Sequence, residues 1–315
     1  MALYLVTGGS GFIGSHIAAT LLDRGDRVRV LDNFSTGLRS NLDAIPGAEI
    51  MEGDIRSYHV VREAVDGCDC VLHQAALPSV PRSVKDPITS NDVNVGGTLN
   101  LLHAARDARV SRLVFASSSS IYGQNPALPK REDMTPRPMS PYAVSKLAAE
   151  QYCQTFFDLY GFETVVLRYF NVFGPRQNPL SEYSAVIPKF IHLLLSGDQP
   201  VIHGDGSQTR DFTFVANVVQ ANLRACSVPA AAGKVFNIAA GNRVSLLEML
   251  KALAEITGRE PAPRFVPGRV GDVPHSYADV SLAEQVLGYR TEIGFLEGLR
   301  RTVAAMPTAT GRATT

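Results

Sequence analysis

Two side chains four residues apart could form a catalytic acid–base pair. Tyr142 and Lys146 lie in the segment SPYAVSK, and on a helix this spacing places both side chains on one face, one turn apart. A tyrosine has a pKa of about 10 and is a weak base at neutral pH, but a nearby ammonium group favours the phenolate. We therefore predict that Lys146 lowers the pKa of Tyr142, so that Tyr142 accepts a proton near pH 7.

A run of serines could provide hydroxyl groups for the same chemistry. Ser118, Ser119 and Ser120 follow the apolar segment RLVFA. This order predicts that they lie at the carboxyl end of a strand, where ligands bind in open α/β sheets. A plainer interpretation stays open, because tyrosine–lysine pairs occur in ordinary helices and serine runs occur in solvated turns.

The segment TGGSGFIG near the N-terminus has the spacing of a dinucleotide-binding turn. Gly8, Gly11 and Gly14 follow an apolar strand and open a helix, and Asp32 ends the next strand. Glycines allow backbone N–H groups to approach a pyrophosphate at the helix N-terminus. The Asp32 carboxylate can bind both ribose hydroxyls and would repel a 2′-phosphate, which favours NAD over NADP. Similar turns also occur in flavin and methyl-donor enzymes.

Other polar residues near these strand ends allow two interpretations each. Arg39 and the Ser35–Thr36 pair weaken the preference for NAD over NADP. Asp54 could meet an adenine or could cap a helix that begins near Ser57. The segment HQAA could line the cofactor, although His73 itself fits a packed strand histidine better than a ligand.

The order of elements predicts an α/β protein with a Rossmann-type doubly wound parallel sheet. Apolar strands alternate with helical patterns, and the strands are nearly continuous in Val, Leu and Ile, as expected for a sheet covered on both faces. The predicted strands are 2–7, 27–32, 48–51, 69–75, 112–117 and 163–170, and the main helices are 12–23, 90–108 and 140–160. A smaller mixed α/β substrate lobe should follow, with strands at 200–203, 211–215, 234–238 and 263–267 and helices at 185–196, 217–226, 245–257, 280–287 and 295–305.

The domain boundary is expected to be interleaved. Residues 1–171 plus about 211–238 should form the NAD-binding domain, because 211–238 can return to the sheet as a further helix and strand. Residues 172–210 plus about 239–306 should form the substrate lobe, and 307–315 a flexible tail.

Composition excludes several classes of function. The 315 residues carry 30 basic and 30 acidic side chains, so no general attraction for nucleic acid or an anionic membrane is expected. No apolar run approaches the ~18–20 residues of a membrane helix, and no N-terminal signal pattern is present. The four cysteines form no CxxC pair and no zinc-like cluster with histidine. We expect a cytoplasmic protein without a metal site.

Five motifs in order, from residue 2 to about residue 300, resemble extended short-chain dehydrogenase/reductases, specifically the nucleotide-sugar 4-epimerase branch. They are TGGSGFIG, the serine run, the Tyr142–Lys146 pair, LRYFNVFGPRQ and GDGSQTRDF. The segments SVPRS and HSYADVS look most like UDP-N-acetylglucosamine 4-epimerases of bacterial surface-polysaccharide pathways. The resemblance implies that Tyr142 takes the proton of the sugar 4-hydroxyl, assisted by Ser118, while hydride passes from C4 to tightly bound NAD. The 4-keto sugar then rotates and hydride returns to its opposite face.

The resemblance also implies which residues bind the two ligands. The expected NAD-binding residues are Gly8, Gly11, Phe12, Ile13, Gly14, Asp32, Asn33, Ser35, Thr36, Gly37, Asp54, Ile55, Gln74, Ala75, Ala76, Tyr142, Lys146 and Tyr169. The expected UDP-sugar-binding residues are Ser79, Ser118, Ser119, Ser120, Tyr142, Asn171, Ala185, Val186, Lys189, Val201, His203, Arg210, Arg269, Asp272 and Ser276. From the residues alone, a structural ion pair between Arg210 and Asp211 and a solvated loop charge at Arg269 are favoured.

Three departures from the family's patterns bear on the reaction. Ser276 stands where relatives restricted to glucose and galactose often carry tyrosine, which leaves room for a 2-acetamido group, although Tyr277 could narrow the pocket. Ile121 stands where related dehydratases have an acid, which argues against dehydration. The serine run leaves Ser119 as an alternative to Ser118, and His203 replaces an asparagine of some relatives, which puts base or ribose contacts there in doubt.

The sequence also permits other functions. A UDP-glucose 4-epimerase or a UDP-glucuronate 4-epimerase would fit, with the serines and Arg82 near the uronate carboxylate. A non-catalytic NAD-binding regulator is the alternative from another class, although such a protein would be expected to lose the tyrosine–lysine pair. The helices at 90–108 and 140–160 carry apolar residues on more than one face, and the family pairs such helices in a homodimer. They could instead simply pack on the sheet.

Overall fold

The computed structural model describes residues 1–180, 185–268 and 274–306. Its strands are β1 (Leu3–Thr7), β2 (Arg27–Asp32), β3 (Glu49–Glu52), β4 (Cys70–His73), β5 (Arg112–Ser118), β6 (Glu163–Tyr169), β7 (Val172–Phe173), β8 (Val201–His203), β9 (Thr209–Arg210), β10 (Thr213–Phe214), β11 (Val235–Ile238), β12 (Val244–Ser245) and β13 (Arg264–Val266).

Helices connect most of these strands. They are α1 (Phe12–Asp23), α2 (Tyr58–Val65), α3 (Val80–Lys85), α4 (Pro87–Asn91), α5 (Gly97–Asp107), α6 (Pro141–Tyr160), α7 (Val186–Ser196), α8 (Val215–Ser227), α9 (Leu246–Thr257), α10 (Ser281–Leu287) and α11 (Phe295–Ala304). Within the described residues, no helix is both long enough and apolar enough to cross a bilayer.

The central sheet has seven parallel strands in the order β11-β6-β5-β4-β1-β2-β3. Strand β1 pairs with β2 on one side and β4 on the other, so the chain order reverses there and a crevice opens at the carboxyl ends of these strands. The predicted doubly wound Rossmann-type fold is confirmed.

Two apolar clusters cover the two faces of the sheet. One includes Ile17 of α1 and Val218 of α8, and it continues into the lobe through Met249 of α9. The other joins Leu101 of α5 and Phe156 of α6 to the opposite face. Because the first cluster runs without a break from sheet to lobe, the lobe packs directly beside the crevice.

The segment 211–238 does return to the sheet. Strand β11 pairs in parallel with β6, from Val235 opposite Val166 to Ile238 opposite Tyr169. Helix α8 packs against α1. Strand β11 is therefore an edge strand of the sheet, although the chain has already contributed to the lobe before reaching it.

Two predicted elements are wrong in detail. The helix expected at 90–108 is interrupted by a π-helical turn at Asp92–Gly96, where the Asn94 side chain accepts a hydrogen bond from the backbone N–H of Leu77 at 2.8 Å and donates to Ser145 of α6 at 3.0 Å. The strand expected at 211–215 is reduced to β10 at Thr213–Phe214, because the chain bends at Asp211. Its buried carboxylate accepts backbone N–H groups from Ala240 at 2.9 Å and from Ala278 at 3.2 Å.

Candidate active site

A cleft of about 720 Å³ runs along the carboxyl ends of β1, β2, β4 and β5. Every residue expected to bind NAD lines it: Gly8, Gly11, Phe12, Ile13, Gly14, Asp32, Asn33, Ser35, Thr36, Gly37, Asp54, Ile55, Gln74, Ala75, Ala76, Tyr142, Lys146 and Tyr169. Ligands of nucleotide size bind in concave sites of this kind at the point where strand order reverses.

The glycine turn leaves no room for side chains. Gly8 has a φ of +70°, and a Cβ there would lie 2.7 Å from the backbone nitrogen of Ala75. A Cβ on Gly14 would lie 2.2 Å from the carbonyl oxygen of Gly8. The turn therefore presents bare backbone at Gly8 and Gly14, and N–H groups in the first turn of a helix suit an anion such as a pyrophosphate.

Asp32 is held at the end of β2 by two backbone N–H groups. Its carboxylate accepts from Ser10 at 2.9 Å and from Phe34 at 2.8 Å. Each oxygen keeps a second lone pair for a ribose hydroxyl. Arg39 forms an ion pair with Glu52 at 2.6 Å and does not line the cleft. Arg39, which weakened the predicted preference for NAD over NADP, is therefore paired with Glu52 and is not directed at a 2′-phosphate site in the cleft.

Asp54 lines the cleft and does not cap α2. Its carboxylate accepts hydrogen bonds from the Arg56 guanidinium at 2.7 Å and from the Asn33 amide at 2.8 Å. The Arg56 contact is the main reason that the pKa of Asp54 falls to about 2. The carboxylate stays ionised and fixes the side chain of Asn33 at the rim.

Helix α6 begins where the sequence predicts, and the start is held by several hydrogen bonds. Ser140 accepts from the backbone N–H of Ala143 at 3.2 Å, with Pro141 in the first helical position. Ser83 of α3 accepts from the backbone N–H of Tyr142 at 3.0 Å. These contacts fix Tyr142 in the lining of the cleft, one turn before Lys146.

Lys146 lies almost completely buried beneath Tyr142. Its ammonium donates to the carbonyl oxygen of Ala116 at 2.8 Å and lies 4.9 Å from the centre of the Phe115 ring. Burial lowers the pKa of Lys146 to about 8. The side chain is thus mainly protonated at pH 7 and places a positive charge at the floor of the cleft.

The predicted lowering of the Tyr142 pKa by Lys146 is wrong for the polypeptide alone. Burial raises the pKa of the Tyr142 phenol, and the hydrogen bond with Ser118 offsets this effect only in part. Loss of hydration around the phenolate outweighs this single hydrogen bond. A further positive group beside Tyr142 is needed to bring its pKa toward neutrality.

The structure distinguishes among the serines. Ser118 ends β5 and forms the hydrogen bond with Tyr142, and its oxygen accepts a hydrogen bond from the Ser120 hydroxyl at 2.8 Å. Ser119 begins a 3₁₀ turn at Ser119–Tyr122. Ser118 rather than Ser119 is therefore the hydroxyl that meets Tyr142.

His73 is a packed strand histidine. Its ring nitrogens contact the hydroxyl of Thr7 at 2.7 Å and that of Thr98 at 2.9 Å. Burial, reinforced by the charge of Lys146, lowers the pKa of His73 to about 3. The imidazole is neutral and braces β1 against α5.

The residues expected to bind substrate are spread more widely. Ser79 and Ala185 line the cleft with Tyr142. The remaining described ones lie outside its lining: Ser118, Ser119, Ser120, Asn171, Val186, Lys189, Val201, His203, Arg210 and Ser276. Arg269 and Asp272 lie outside the described residues.

Arg210 and Ser276 are neighbours in the lobe. The Ser276 backbone N–H donates to the Thr209 carbonyl at 3.1 Å, and Arg210 donates to the carbonyl of Pro274 at 3.2 Å. Asp211 directs its carboxylate to backbone N–H groups, and burial raises the pKa of Asp211 to about 6. Arg210 and Asp211 therefore serve different contacts and do not form the ion pair considered from the sequence.

Further lining residues were not predicted to bind NAD or substrate. They are Leu31, Phe34, Leu38, Gly53, Leu77, Pro78, Val93, Ala116, Ser117, Val172, Gln177 and Asn178. Arg82, which the sequence offered only for a uronate carboxylate, also lines the cleft. Most are chain neighbours of predicted residues, so extending each motif by one or two positions would have found them. Val93 carries no such signal, because the π-helical turn brings it to the cleft. No group of three or more His, Cys, Asp or Glu residues in the described ranges could hold a metal ion.

The model of the NAD dependent epimerase/dehydratase family matches residues 4–239. The chain belongs to this family. It is 40% identical over 304 residues to UDP-glucose 4-epimerase of Mycolicibacterium smegmatis, which covers 95% of this chain and 96% of that protein.

Two solved structures of the epimerase family resemble this chain throughout. One is a UDP-N-acetylglucosamine 4-epimerase of Methanobrevibacter ruminantium in complex with UDP-N-acetylmuramic acid, with 37% identity, a TM-score of 0.92 and coverage of 96% and 97% of the two chains. The other is UDP-glucose 4-epimerase of Thermus thermophilus in complex with NAD, with 39% identity, a TM-score of 0.87 and coverage of 96% and 98%. The predicted 4-epimerase branch, NAD as cofactor and an isomerase activity are confirmed.

Proposed function

We propose that this protein interconverts the C4 epimers of UDP-hexoses, with UDP-GlcNAc and UDP-GalNAc as principal substrates and UDP-Glc and UDP-Gal also accepted. The observation that carries the proposal is the contact of Tyr142 with Ser118 above Lys146 at the inner end of a cleft shaped for NAD. This arrangement suits removal of a hydroxyl proton beside the carbon that is oxidised.

The residues that would hold NAD follow from the cleft. The glycine turn and first turn of α1 would bind the pyrophosphate, Asp32 the adenine ribose, and Lys146 the nicotinamide ribose, with Tyr169 beside the nicotinamide. Bound NAD supplies a hydride acceptor and donor for C4 and a positive charge near Tyr142.

The protein's own groups manage the proton. Tyr142 takes the proton of the 4-hydroxyl, and Ser118 stabilises the phenolate by donating its hydrogen bond. Lys146 keeps a positive charge at the floor of the cleft, and the additional positive charge of bound NAD would favour the phenolate. After the 4-keto sugar has rotated about its diphosphate link, Tyr142 gives the proton back.

We assign the UDP moiety to the lobe side of the cleft. Asn171, Ala185 and Val186 are proposed to hold the diphosphate and uridine, and the Arg210 guanidinium suits phosphate oxygens. The division into an NAD-binding domain (1–171 plus about 211–238) and a UDP-sugar lobe (172–210 plus about 239–306) belongs to the same proposal.

Ser276 is proposed to determine which sugars are accepted. It is partly buried beside Arg210, and its small side chain leaves space for a 2-acetamido group. The neighbouring Tyr277 ring packs 5.0 Å from the Arg243 guanidinium. Because the Tyr277 ring packs against Arg243, we propose that Ser276 rather than Tyr277 faces the sugar.

Replacement of Ser276 by tyrosine should reduce turnover of UDP-GlcNAc by about a hundredfold and leave UDP-Glc turnover nearly unchanged, because the added volume meets only the acetamido group. Wild type and Ser276→Tyr would be assayed with UDP-GlcNAc, UDP-Glc and UDP-GlcA. Equal loss of turnover with the acetylated and plain sugars would refute the proposed role of Ser276 in sugar selection. Absence of turnover by NAD-loaded wild type with every UDP-hexose would refute the proposed function.

A UDP-glucuronate 4-epimerase is the second candidate. Arg82 of α3 lines the cleft together with Ser79 and Ser117, so a cation and hydroxyl groups lie where a C6 carboxylate could bind. Preferential turnover of UDP-GlcA in the same assay would favour this candidate over the hexosamine.

We further propose a homodimer formed through an apolar stripe, which we define as Ile88, Val144, Tyr152 and Leu159. Ile88 is 73% exposed on α4, and Val144 and Leu159 are 53% and 70% exposed on α6. Leu101 and Leu102 of α5 and Phe156 of α6 instead pack on the sheet. The stripe would bury exposed apolar surface against a second copy.

The substitution Val144→Asp should convert the dimer to monomers, because an interface would then bury an unpaired carboxylate. Light scattering after size-exclusion chromatography measures the mass. Leu296→Asp on α11, where leucine is 51% exposed, is the matched control and should leave the mass unchanged. A wild type that is monomeric at micromolar concentration would contradict the interface.

A further inference from the structure

Three successive turns of α6 contact the last three residues of β5. Tyr142, Lys146 and Glu150 follow one another at intervals of four residues, so they lie on one face of the helix. Their contacts are Tyr142 with the Ser118 hydroxyl, Lys146 with the Ala116 carbonyl at 2.8 Å, and Glu150 with the Ser117 hydroxyl at 2.9 Å. The chemistry assigned so far uses the first two contacts and leaves the third without a role.

Glu150 is completely buried and does not line the cleft. The Arg168 guanidinium on β6 donates to both of its carboxylate oxygens, through Nη2 and through Nε at 3.2 Å. Arg168 is held in turn by the hydroxyl of Tyr122 at 2.8 Å and the carbonyl of Glu132 at 3.2 Å. A carboxylate gripped in this way has little freedom, so it offers the Ser117 hydroxyl a fixed acceptor.

This fixed acceptor lies one residue from the hydroxyl that serves Tyr142. The Ser117 hydroxyl donates to Glu150, which ties the end of β5 to α6. The next residue, Ser118, accepts from the Ser120 hydroxyl at 2.8 Å, so its own proton is available for Tyr142. Small displacements of Ser118 would weaken that hydrogen bond steeply.

We propose that Glu150 is a positioning residue, which acts through Ser117 to hold Ser118 in hydrogen-bonding register with Tyr142. The inference rests on the proposed epimerase chemistry. In this proposal the buried Glu150–Arg168 pair stabilises the fold and also helps to form the Tyr142 phenolate, because it keeps the Ser118 hydroxyl in place.

Within the described residues, few charged or titratable groups surround the contacts between α6 and the end of β5. His73 of β4 faces Lys146 and is neutral, because its pKa is about 3. Cys153 of α6 lies near Glu150 and Lys146, and burial raises the pKa of its thiol. Glu132 faces Arg168, and burial raises the pKa of its carboxyl group. None of these groups contacts the Tyr142 phenol, so a change in register should appear in the titration of Tyr142 itself.

Ser117→Ala is the gentlest test, because it removes the link from Glu150 to the strand and leaves the ion pair intact. We expect kcat to fall about tenfold with KM within about twofold, since misplacement of catalytic groups acts on the chemical step. The acidic limb of the pH–rate profile should move to higher pH, because a phenolate with a weaker hydrogen bond has a higher pKa. Unchanged kcat and an unchanged profile in Ser117→Ala would overturn the inference.

A double-mutant comparison separates this route from a direct role of Ser117 in the cleft. Glu150→Gln should shift the profile in the same direction, and Ser117→Ala/Glu150→Gln should be no worse than the more damaging single variant, because both act through one contact. Additive losses would mean that Ser117 acts on the substrate directly and would also overturn the proposal.

Glu163→Gln is the matched structural control. Glu163 pairs with Arg112 at 2.6 Å across the opposite ends of the same two strands, β5 and β6. Its loss should lower the thermal unfolding temperature without moving the pH–rate profile. If Glu163→Gln shifts the profile as Ser117→Ala does, general loosening of the sheet explains both and the inference fails. An inactive wild type would instead refute the proposed function, which keeps the two failures distinguishable.

Discussion

Replacing Tyr142 with phenylalanine should reduce kcat for UDP-hexose epimerisation by about a thousandfold, within the range for loss of a general acid–base group. The aromatic ring stays, so its packing in the lining of the cleft is kept. The variant loses the phenol that contacts Ser118, and the sugar 4-hydroxyl then has no acceptor of the right geometry. Binding of NAD and UDP-sugar should persist, because the residues proposed to hold them are unchanged.

Three measurements define this result. Product formation gives kcat, absorbance in the dihydronicotinamide band reports reduction of bound NAD, and calorimetry gives the affinity for UDP-sugar. Tyr152→Phe, on the same helix but exposed to solvent, is the matched control and should retain wild-type turnover. Turnover within about threefold of wild type in Tyr142→Phe would contradict the assignment of the proton acceptor.

Replacing Gly14 with alanine should leave the purified protein nearly free of NAD, with an affinity for added NAD lower by about a hundredfold. The added Cβ would lie 2.2 Å from the carbonyl oxygen of Gly8 and 2.9 Å from the backbone of Gly9. Backbone atoms must therefore shift to admit it. The turn would move away from the position in which it can meet a pyrophosphate.

A helical glycine in open space provides the control for this substitution. A Cβ on Gly96 would meet no atom within 4 Å, and alanine is generally the better helix former. Gly96→Ala should therefore bind NAD as wild type does. NAD content is measured by absorbance after denaturation, and thermal unfolding with added NAD shows whether Gly14→Ala remains folded. Normal NAD content in Gly14→Ala would disprove the proposal that the glycine turn binds the pyrophosphate of NAD.

The effect of Lys146 on Tyr142 shows where reasoning from spacing reaches its limit. The four-residue interval placed both side chains on one face of α6 correctly. It could not show that Lys146 donates to Ala116 or that the phenol loses so much hydration that its pKa rises. The sign of a pKa shift depends on burial and distance together, and neither quantity is present in a spacing.

The sequence by itself determined the Rossmann-type sheet, the glycine turn and the acidic residue that follows it. Each depends on local rules, namely the alternation of apolar strands with amphipathic helices and the steric freedom of glycine. The same locality explains why the start of α6 was predictable from Ser140 and Pro141.

Tertiary structure alone decided the contacts between elements distant in the chain. Ser118 rather than Ser119 meets Tyr142, Arg39 is engaged by Glu52, and Glu150 ties Ser117 to Arg168. Such choices depend on the exact direction of side chains across packed faces, which is set by the whole sheet and its covering helices. A periodic pattern specifies which face a residue occupies, but only the packed fold specifies which atom it meets there.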